Sequence, residues 1–285
     1  MKAAIKGLLP ASMLAKLSAG RENLLTRSLR AAAAEQGLAA LVERLAAVGD
    51  VGEQYTTMKM DSAYLRLKVL TQHAFQVALA GPALPQGSGV VVDIGDSSGA
   101  HTQYLRALHP DCKAEFLSVN LDESAVAKIK AKGLKAMLAR AEDVLKLGVT
   151  AEVFLLFETL EHLADPFNFL HALASKSLCR RLVLSVPYVR RSRLGLHHIR
   201  QGLRQKMTAE RVHLLELCPE DLRLLFAHTG WRVETERIYL QYPARSALRA
   251  TRALWAGHDF EGFYGAVLSR DDSWSSLYAD WPRHD

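Results

Sequence analysis

Residue types able to do chemistry gather in two short stretches and one distant position. The first stretch is Val92-Asp93-Ile94-Gly95-Asp96-Ser97-Ser98-Gly99, where glycines directly after an apolar run let a ligand approach the backbone closely. The Gly-x-Gly-x-x-Gly of a dinucleotide loop is absent, and so is the Gly-Lys-Ser/Thr of a triphosphate loop. Asp96 sets a carboxylate where a pyrophosphate would need bare N–H groups, so a cofactor with a cationic end suits this loop better. The second stretch is Glu158-Thr159-Leu160-Glu161-His162, in which Glu161 and His162 are placed to move a proton. His213 is a third candidate farther along the chain. His197-His198 is a poor chelate, because adjacent residues on a helix point about 100° apart.

These residues need a frame that brings the ends of several elements together. Apolar runs at Val90–Ile94, Glu115–Val119, Lys135–Leu138, Val153–Phe157 and Leu182–Val186 read as strands. Helical stretches at Gly99–Leu108, Glu123–Lys132 and Pro166–Ser175 fill the gaps. A helix at Pro219–Thr229 and strands at Trp231–Leu240 and Gly262–Leu268 follow. Strands alternating with helices in this way predict an α/β fold: a Rossmann-like, mostly parallel seven-stranded sheet with helices on both faces. Ahead of it lies an N-terminal helical extension, residues 1–80, with helices at Ser28–Val48 and Met58–Ala80. The breaker-rich Gly81-Pro82 and Pro85–Gly89 open the ligand-binding domain, 81–270, and an aromatic tail, 271–285, follows it.

Asp93-x-Gly95-x-Ser97-x-Gly99 resembles motif I of the class I S-adenosylmethionine-dependent methyltransferases, with serine at the middle glycine. Later segments match in order. Phe116–Asp122 resembles the second strand and its ribose-binding end, Ala141-Glu142-Asp143 the adenine-side turn, and Phe157–Pro166 the fourth-strand segment Glu-x-x-Glu-His-x-x-Asp-Pro. Leu184–Pro187 and Gly230–Val233 match the fifth strand and the entry to the sixth. The resemblance spans about residues 60–270 and is nearest to the ubiquinone-type methyltransferases and those of polysaccharide and natural-product pathways.

The resemblance implies a methyl transfer from S-adenosylmethionine, with Asp93 and the Gly95, Asp96 and Gly99 backbone holding the methionine end. Asn120, Leu121 and Asp122 would hold the ribose, Ala141 and Glu142 the adenine edge, and Phe157 and Glu158 would face the sulfonium. Asn120 stands where an acid is expected, and Arg140 stands near a position that often carries an aspartate. In the small-RNA 3′-end ribose methyltransferases a similar segment plus a later histidine binds a divalent metal, and Glu158, Glu161, His162 and His213 would make that set here. The preferred reading has no metal: His162 is a general base or supports the site from behind, and Glu161 is a helix-start carboxylate stabilised by the dipole. The leading assignment takes His162, Glu161 and His213 as catalytic.

Composition bounds the rest. The 285 residues are 49% apolar and 23% charged, which excludes disordered and low-complexity classes. No uncharged apolar run approaches the roughly 20 residues of a membrane span, and three scattered cysteines argue against a disulfide framework. A cytoplasmic protein is expected. The net charge of +6 is concentrated: residues 1–30 carry six cations against Glu22, and 190–211 carry seven against Glu210. The second segment follows the fifth strand, so Arg190, Arg191, Arg193 and His197 are the expected substrate contacts. An anionic small molecule or a nucleotide- or lipid-linked glycan is the expected acceptor, methylated on oxygen. The rivals are an RNA methyltransferase and a non-catalytic scaffold. The basic residues 1–30 add an expected peripheral contact with an anionic membrane.

Overall fold

The structure is a computed structural model that describes residues 11–49, 60–195, 204, 206, 212–255 and 261–278. Residues 1–10, on which much of the expected membrane contact rests, lie outside the described residues, as do His197, His198, Arg200, Arg211 and Trp281.

Seven strands form one sheet. They are β1 (Val90–Ile94), β2 (Glu115–Asn120), β3 (Lys135–Leu138), β4 (Val153–Phe157), β5 (Arg181–Tyr188), β8 (Trp231–Leu240) and β9 (Gly262–Arg270), and a separate two-residue pair joins β6 (Arg193–Leu194) to β7 (Leu215–Glu216). Their order is β3-β2-β1-β4-β5-β9-β8, with β1 to β5 parallel and β9 antiparallel to both of its neighbours. β1 is an inner strand, third in the order, with Val91 in register with Phe116 on one side and Val153 on the other. The strand order reverses beside it, and an open α/β sheet leaves a crevice at that switch point.

Nine α-helices are described: α1 (Ala11–Glu35), α2 (Ala39–Ala46), α3 (Ala63–Ala80), α4 (Ala100–Leu108), α5 (Glu123–Ala131), α6 (Pro166–Lys176), α7 (Pro219–His228), and the single turns α8 (Ala247–Ala250) and α9 (Arg252–Trp255). The central strands are apolar throughout because both faces are covered. One face packs Val91, Leu155 and Val183 against α3 and α4 through Phe75, Leu79, Tyr104 and Leu105. The other packs Val92, Phe154 and Leu184 against α6 and α7 through Leu170, Leu173, Leu225 and Phe226. The Trp231 indole, fully buried there, donates to the Leu170 carbonyl at 2.9 Å.

The N-terminal helices differ from the sequence expectation in three respects, the first being that the leading helix already begins at Ala11 rather than Ser28. The expected helix Ser28–Val48 is broken at Gly37, which takes φ +74°, while Leu38 N–H reaches back to the Ala33 carbonyl at 2.8 Å. That is a glycine-terminated helix end with an apolar residue directly after it. The third helix begins later than Met58, at Ala63, because the Ser62 hydroxyl caps it by accepting from Leu65 N–H. This helix is a layer of the core: Phe75 stacks on Tyr239, and a side chain at Gly265 would collide with Leu79 and Phe75. Among the described residues no helix is long and apolar enough to cross a membrane. All three cysteines are free.

Candidate active site

The carboxyl ends of β1, β2 and β4 open on a cavity of about 260 Å³. The loop after β1 forms its floor. Gly95 has φ +94°, and a Cβ there would lie 2.2 Å from Thr159 Oγ1, so neither the backbone nor the space admits a side chain. Gly95 N–H donates to the Val119 carbonyl at 2.8 Å, which ties the loop to β2. Gly99 is the left-handed N-cap of α4. The expected cofactor residues Gly95, Asp96, Asn120, Leu121, Ala141, Glu142, Phe157 and Glu158 all line the cavity, together with His162.

Other expected contacts are placed differently. Asp93 is 1% exposed and lies behind the lining, paired with His101, whose Nδ1 is 3.0 Å from Asp93 Oδ2. Asp122 is the N-cap of α5, outside the cavity lining: its carboxylate accepts from Ser124 N–H and Ser124 O–H. Asn120 lines the wall, but its amide is already used. Its Nδ2 donates to the Asp96 carbonyl and its Oδ1 accepts from Asp122 N–H, which stitches the β1 and β2 loops together.

Two buried carboxylates lie close together here, Asp96 at the floor and Asp93 behind it. Asp96 Oδ2 accepts from the Ser118 hydroxyl at 3.1 Å, while Asp96 Oδ1 and Asp93 Oδ1 are buried with no hydrogen-bond partner. Burial, reinforced by the charge of Asp96, pushes Asp93 up to about 6. Burial opposes the charge on His101, but the Asp93 carboxylate beside it wins and holds it above its ordinary value. His73, buried and facing His101 ring to ring at 4.8 Å, is held well below, by burial first and then by the His101 charge.

His101 also begins a chain that crosses the site. Its Nε2 donates to Gln76 Oε1 at 3.0 Å, Gln76 Nε2 donates to Ser185 Oγ at 3.0 Å, and the Ser185 hydroxyl donates to Glu158 Oε1 at 2.7 Å. Glu158 stands at φ +49°, an unusual conformation for a residue with a side chain, and burial pushes its carboxyl up to about 8.

Behind His162 lies a second cluster. One ligand atom each from Glu161, His162 and His213 falls within 4.8 Å of the others, and the two imidazoles meet edge-on with centroids 4.9 Å apart. His162 Nδ1–H donates to the Val212 carbonyl at 2.9 Å and His213 Nδ1 faces Glu216 Oε1 at 2.8 Å, so each ring has its Nδ1 oriented by an acceptor. Both oxygens of Glu161 are buried without a hydrogen-bond partner, and burial drives its pKa well above the ordinary value, with the charges of Glu158 and Glu216 adding to it. An orphaned carboxylate beside two oriented imidazoles fits a divalent cation. Glu158 does not join this set: its carboxylate is turned to Ser185.

The basic residues after β5 are also largely committed. Arg190 forms a two-pronged ion pair with Glu261, which is 4% exposed and also receives Tyr242 O–H and approaches Arg252. Arg193 pairs with the buried Glu216. Arg190 is paired while still exposed, Arg193 is paired and half-buried, and Arg191 is exposed. The pair β6–β7 clamps the two ends of this segment together. Of the tail aromatics, Trp274 and Tyr278 are exposed.

Sequence reasoning did not single out Gln72, His73, Gln76, His101 or Thr159, all of which line the cavity. Gln72, His73 and Gln76 were signalled by polar side chains at helical spacing in the apolar second half of their helix, and His101 by its place two residues after Gly99.

No family model and no curated protein matches the sequence. Solved structures are similar in fold. The cyclopropane synthase MmaA2 from Mycobacterium tuberculosis superposes with a TM-score of 0.51 at 14% identity, over 80% of this chain and 93% of that one. The [4+2]-cyclase SpnF gives a TM-score of 0.51 at 11% identity, over 86% and 97%. The 1,6-didemethyltoxoflavin-N1-methyltransferase of Burkholderia thailandensis, solved with 1,6-didemethyltoxoflavin and S-adenosylhomocysteine, gives 0.48 at 15% identity, over 70% and 79%. The chain thus has the Rossmann-like fold of the class I S-adenosylmethionine-dependent methyltransferases.

Proposed function

We propose that the chain is an S-adenosylmethionine-dependent methyltransferase acting on oxygen. The observation that carries this reading is the acidic floor of the cavity: Asp96 lines it and Asp93 lies directly behind, both are buried, each keeps one oxygen without a hydrogen-bond partner, and His101 is the cation beside them among the described residues. Such a floor favours a cationic ligand and disfavours a phosphate. When bound, S-adenosylmethionine supplies an electrophilic methyl group for in-line displacement, and the chain's own residues do the rest. The Gly95–Gly99 loop and Asp96 hold the cationic end, Phe157 walls the reacting centre, and Glu158 or His162 takes the acceptor's proton. Glu161, His162 and His213 would hold a divalent cation on the acceptor side.

The acceptor in this reading is an anionic small molecule or a nucleotide- or lipid-linked glycan. With Arg190 and Arg193 paired to Glu261 and Glu216, its anionic end would be met by the exposed Arg191 and by Arg140, which sits beside Glu142 at the cavity rim. The reading includes a cytoplasmic location with peripheral membrane contact through residues 1–30. The committed amide of Asn120 favours one rival, a binding scaffold that does not methylate, and a fold by itself does not choose between them.

Isothermal titration calorimetry with S-adenosylmethionine and S-adenosylhomocysteine tests the proposal. Micromolar binding that Asp96→Asn weakens at least tenfold supports it. No binding by the intact chain overturns it in favour of the scaffold. An acceptor affinity that falls steeply with salt would favour RNA.

A further inference from the structure

Gln76 belongs to α3, outside the segments that resemble motif I and its successors, yet it is 1% exposed and bonded at both ends. A buried amide with both atoms used fixes the direction of every bond it touches. Its Oε1 accepts from His101 Nε2–H, and with the Asp93 carboxylate ionised at His101 Nδ1 the ring then carries protons on both nitrogens. Its Nε2–H donates to Ser185, leaving the Ser185 proton only one acceptor, Glu158 Oε1.

We infer that His101, Gln76 and Ser185 form a one-way donor chain that delivers the pull of a buried imidazolium to Glu158 and holds it as the proton acceptor of the site. Gln76 is then a positioning residue that acts through Ser185. The inference deepens the methyltransferase reading and rests on it for the role of Glu158; the chain of bonds is independent of any ligand. When Glu158 takes a proton from the acceptor hydroxyl, the acceptor O–H bond breaks, its electron pair stays on the acceptor oxygen, and a Glu158 O–H bond forms. The chain itself loses no proton. The charged and titratable groups facing it are Asp93, Asp96 and His73 around His101, and Glu161 near Glu158. The acids favour the imidazolium, and Glu161 disfavours charge on Glu158. Glu158 titrating near 8 places it in the range where a general base works at neutral pH.

The test is carboxyl ¹³C NMR of the full chain, with Glu158 assigned by Glu158→Gln, together with ¹⁵N spectra of the histidine rings. In the intact chain Glu158 is expected to titrate well above the ordinary carboxylate range while His101 shows both nitrogens protonated. Gln76→Met cuts the chain and should raise the Glu158 midpoint by about one pH unit, tenfold in proton affinity. Ser185→Ala removes the last donor and should shift it in the same direction, which keeps the test open if the first variant does not fold. An unchanged midpoint in the folded variants, or His101 found as a neutral tautomer beside an ionised Glu158, overturns the inference. No ligand is needed, so failure of the chain and failure of cofactor binding are read by separate experiments.

Discussion

Ser185 holds Glu158 from two sides: its carbonyl accepts the Glu158 N–H at 2.8 Å and its hydroxyl donates to the Glu158 carboxylate at 2.7 Å. The first bond continues the β4–β5 ladder by one residue and steadies Glu158 at φ +49°, a conformation that would otherwise cost of order 1–3 kcal/mol. The second aims the carboxylate across the cavity. A strand end and a side chain thus fix one acid in a single orientation, facing the space where a cationic centre would lie.

That placement makes cofactor preference depend on pH. Glu158 is neutral below about 8 and charged above it. A carboxylate beside a sulfonium stabilises S-adenosylmethionine and does nothing for the uncharged sulfur of S-adenosylhomocysteine. The affinity of the former relative to the latter should therefore rise between pH 6.5 and 9, by about 20-fold for charges about 5 Å apart at an effective dielectric constant near 20. Calorimetry across that range should show the rise in the native chain and a flat ratio in Glu158→Gln.

Glycine at the loop is required for two separable reasons, and a pair of substitutions distinguishes them. Gly133→Ala meets open space and only the strain of φ +73°, so it should cost about 1 kcal/mol and leave cofactor affinity intact. Gly95→Ala meets φ +94° and Thr159 Oγ1 at 2.2 Å, and relieving it moves the loop that floors the cavity. It should cost about 2–4 kcal/mol and abolish binding. Thermal melts and calorimetry on both variants measure the contrast.

The sequence made the sheet legible because fully apolar strands alternating with helices admit few arrangements, and every expected strand core is present. Its helix errors came from local chemistry: the Gly37-Leu38 helix end hidden in an alanine-rich run, and the Ser62 cap. Site residues carried by a local pattern, such as Gly95 and Glu158, were readable. Those defined by what approaches from elsewhere were not. Nothing near Arg190 in the chain indicates Glu261, and nothing near Glu158 indicates Gln76, because those partners meet only once β9 and α3 are packed against β5.

The arginines after β5 test whether position in sequence or pairing in space decides their role. Arg190→Ala leaves Glu261 buried with Arg252 and Tyr242 alone, so it should lower stability by about 1–3 kcal/mol. Arg191→Ala removes an exposed charge and should leave stability within about 0.5 kcal/mol. If an anionic acceptor is bound here, only the second variant should raise its Michaelis constant while the melting temperature stays constant. Melting curves together with acceptor kinetics separate the two effects.

Glu161 gives the sharpest stability test, because a buried carboxyl with no hydrogen-bond partner is held neutral by the fold. Its folded pKa lies above its unfolded value, so the folded chain binds that proton more tightly. The associated stability is present below the ordinary carboxylate pKa and is lost as pH rises above it. Glu161→Gln keeps the shape and has no proton to lose. It should therefore be more stable than the native chain at pH 8, by about 1–3 kcal/mol, with the gap closing toward pH 4. A divalent ion held by Glu161, His162 and His213 would use the ionised form instead. Added Mn²⁺ or Zn²⁺ should then raise the melting temperature of the native chain at pH 8 and leave Glu161→Gln unmoved. A native chain that ignores both ions would leave His162 as a metal-free base, with Glu161 its neutral neighbour.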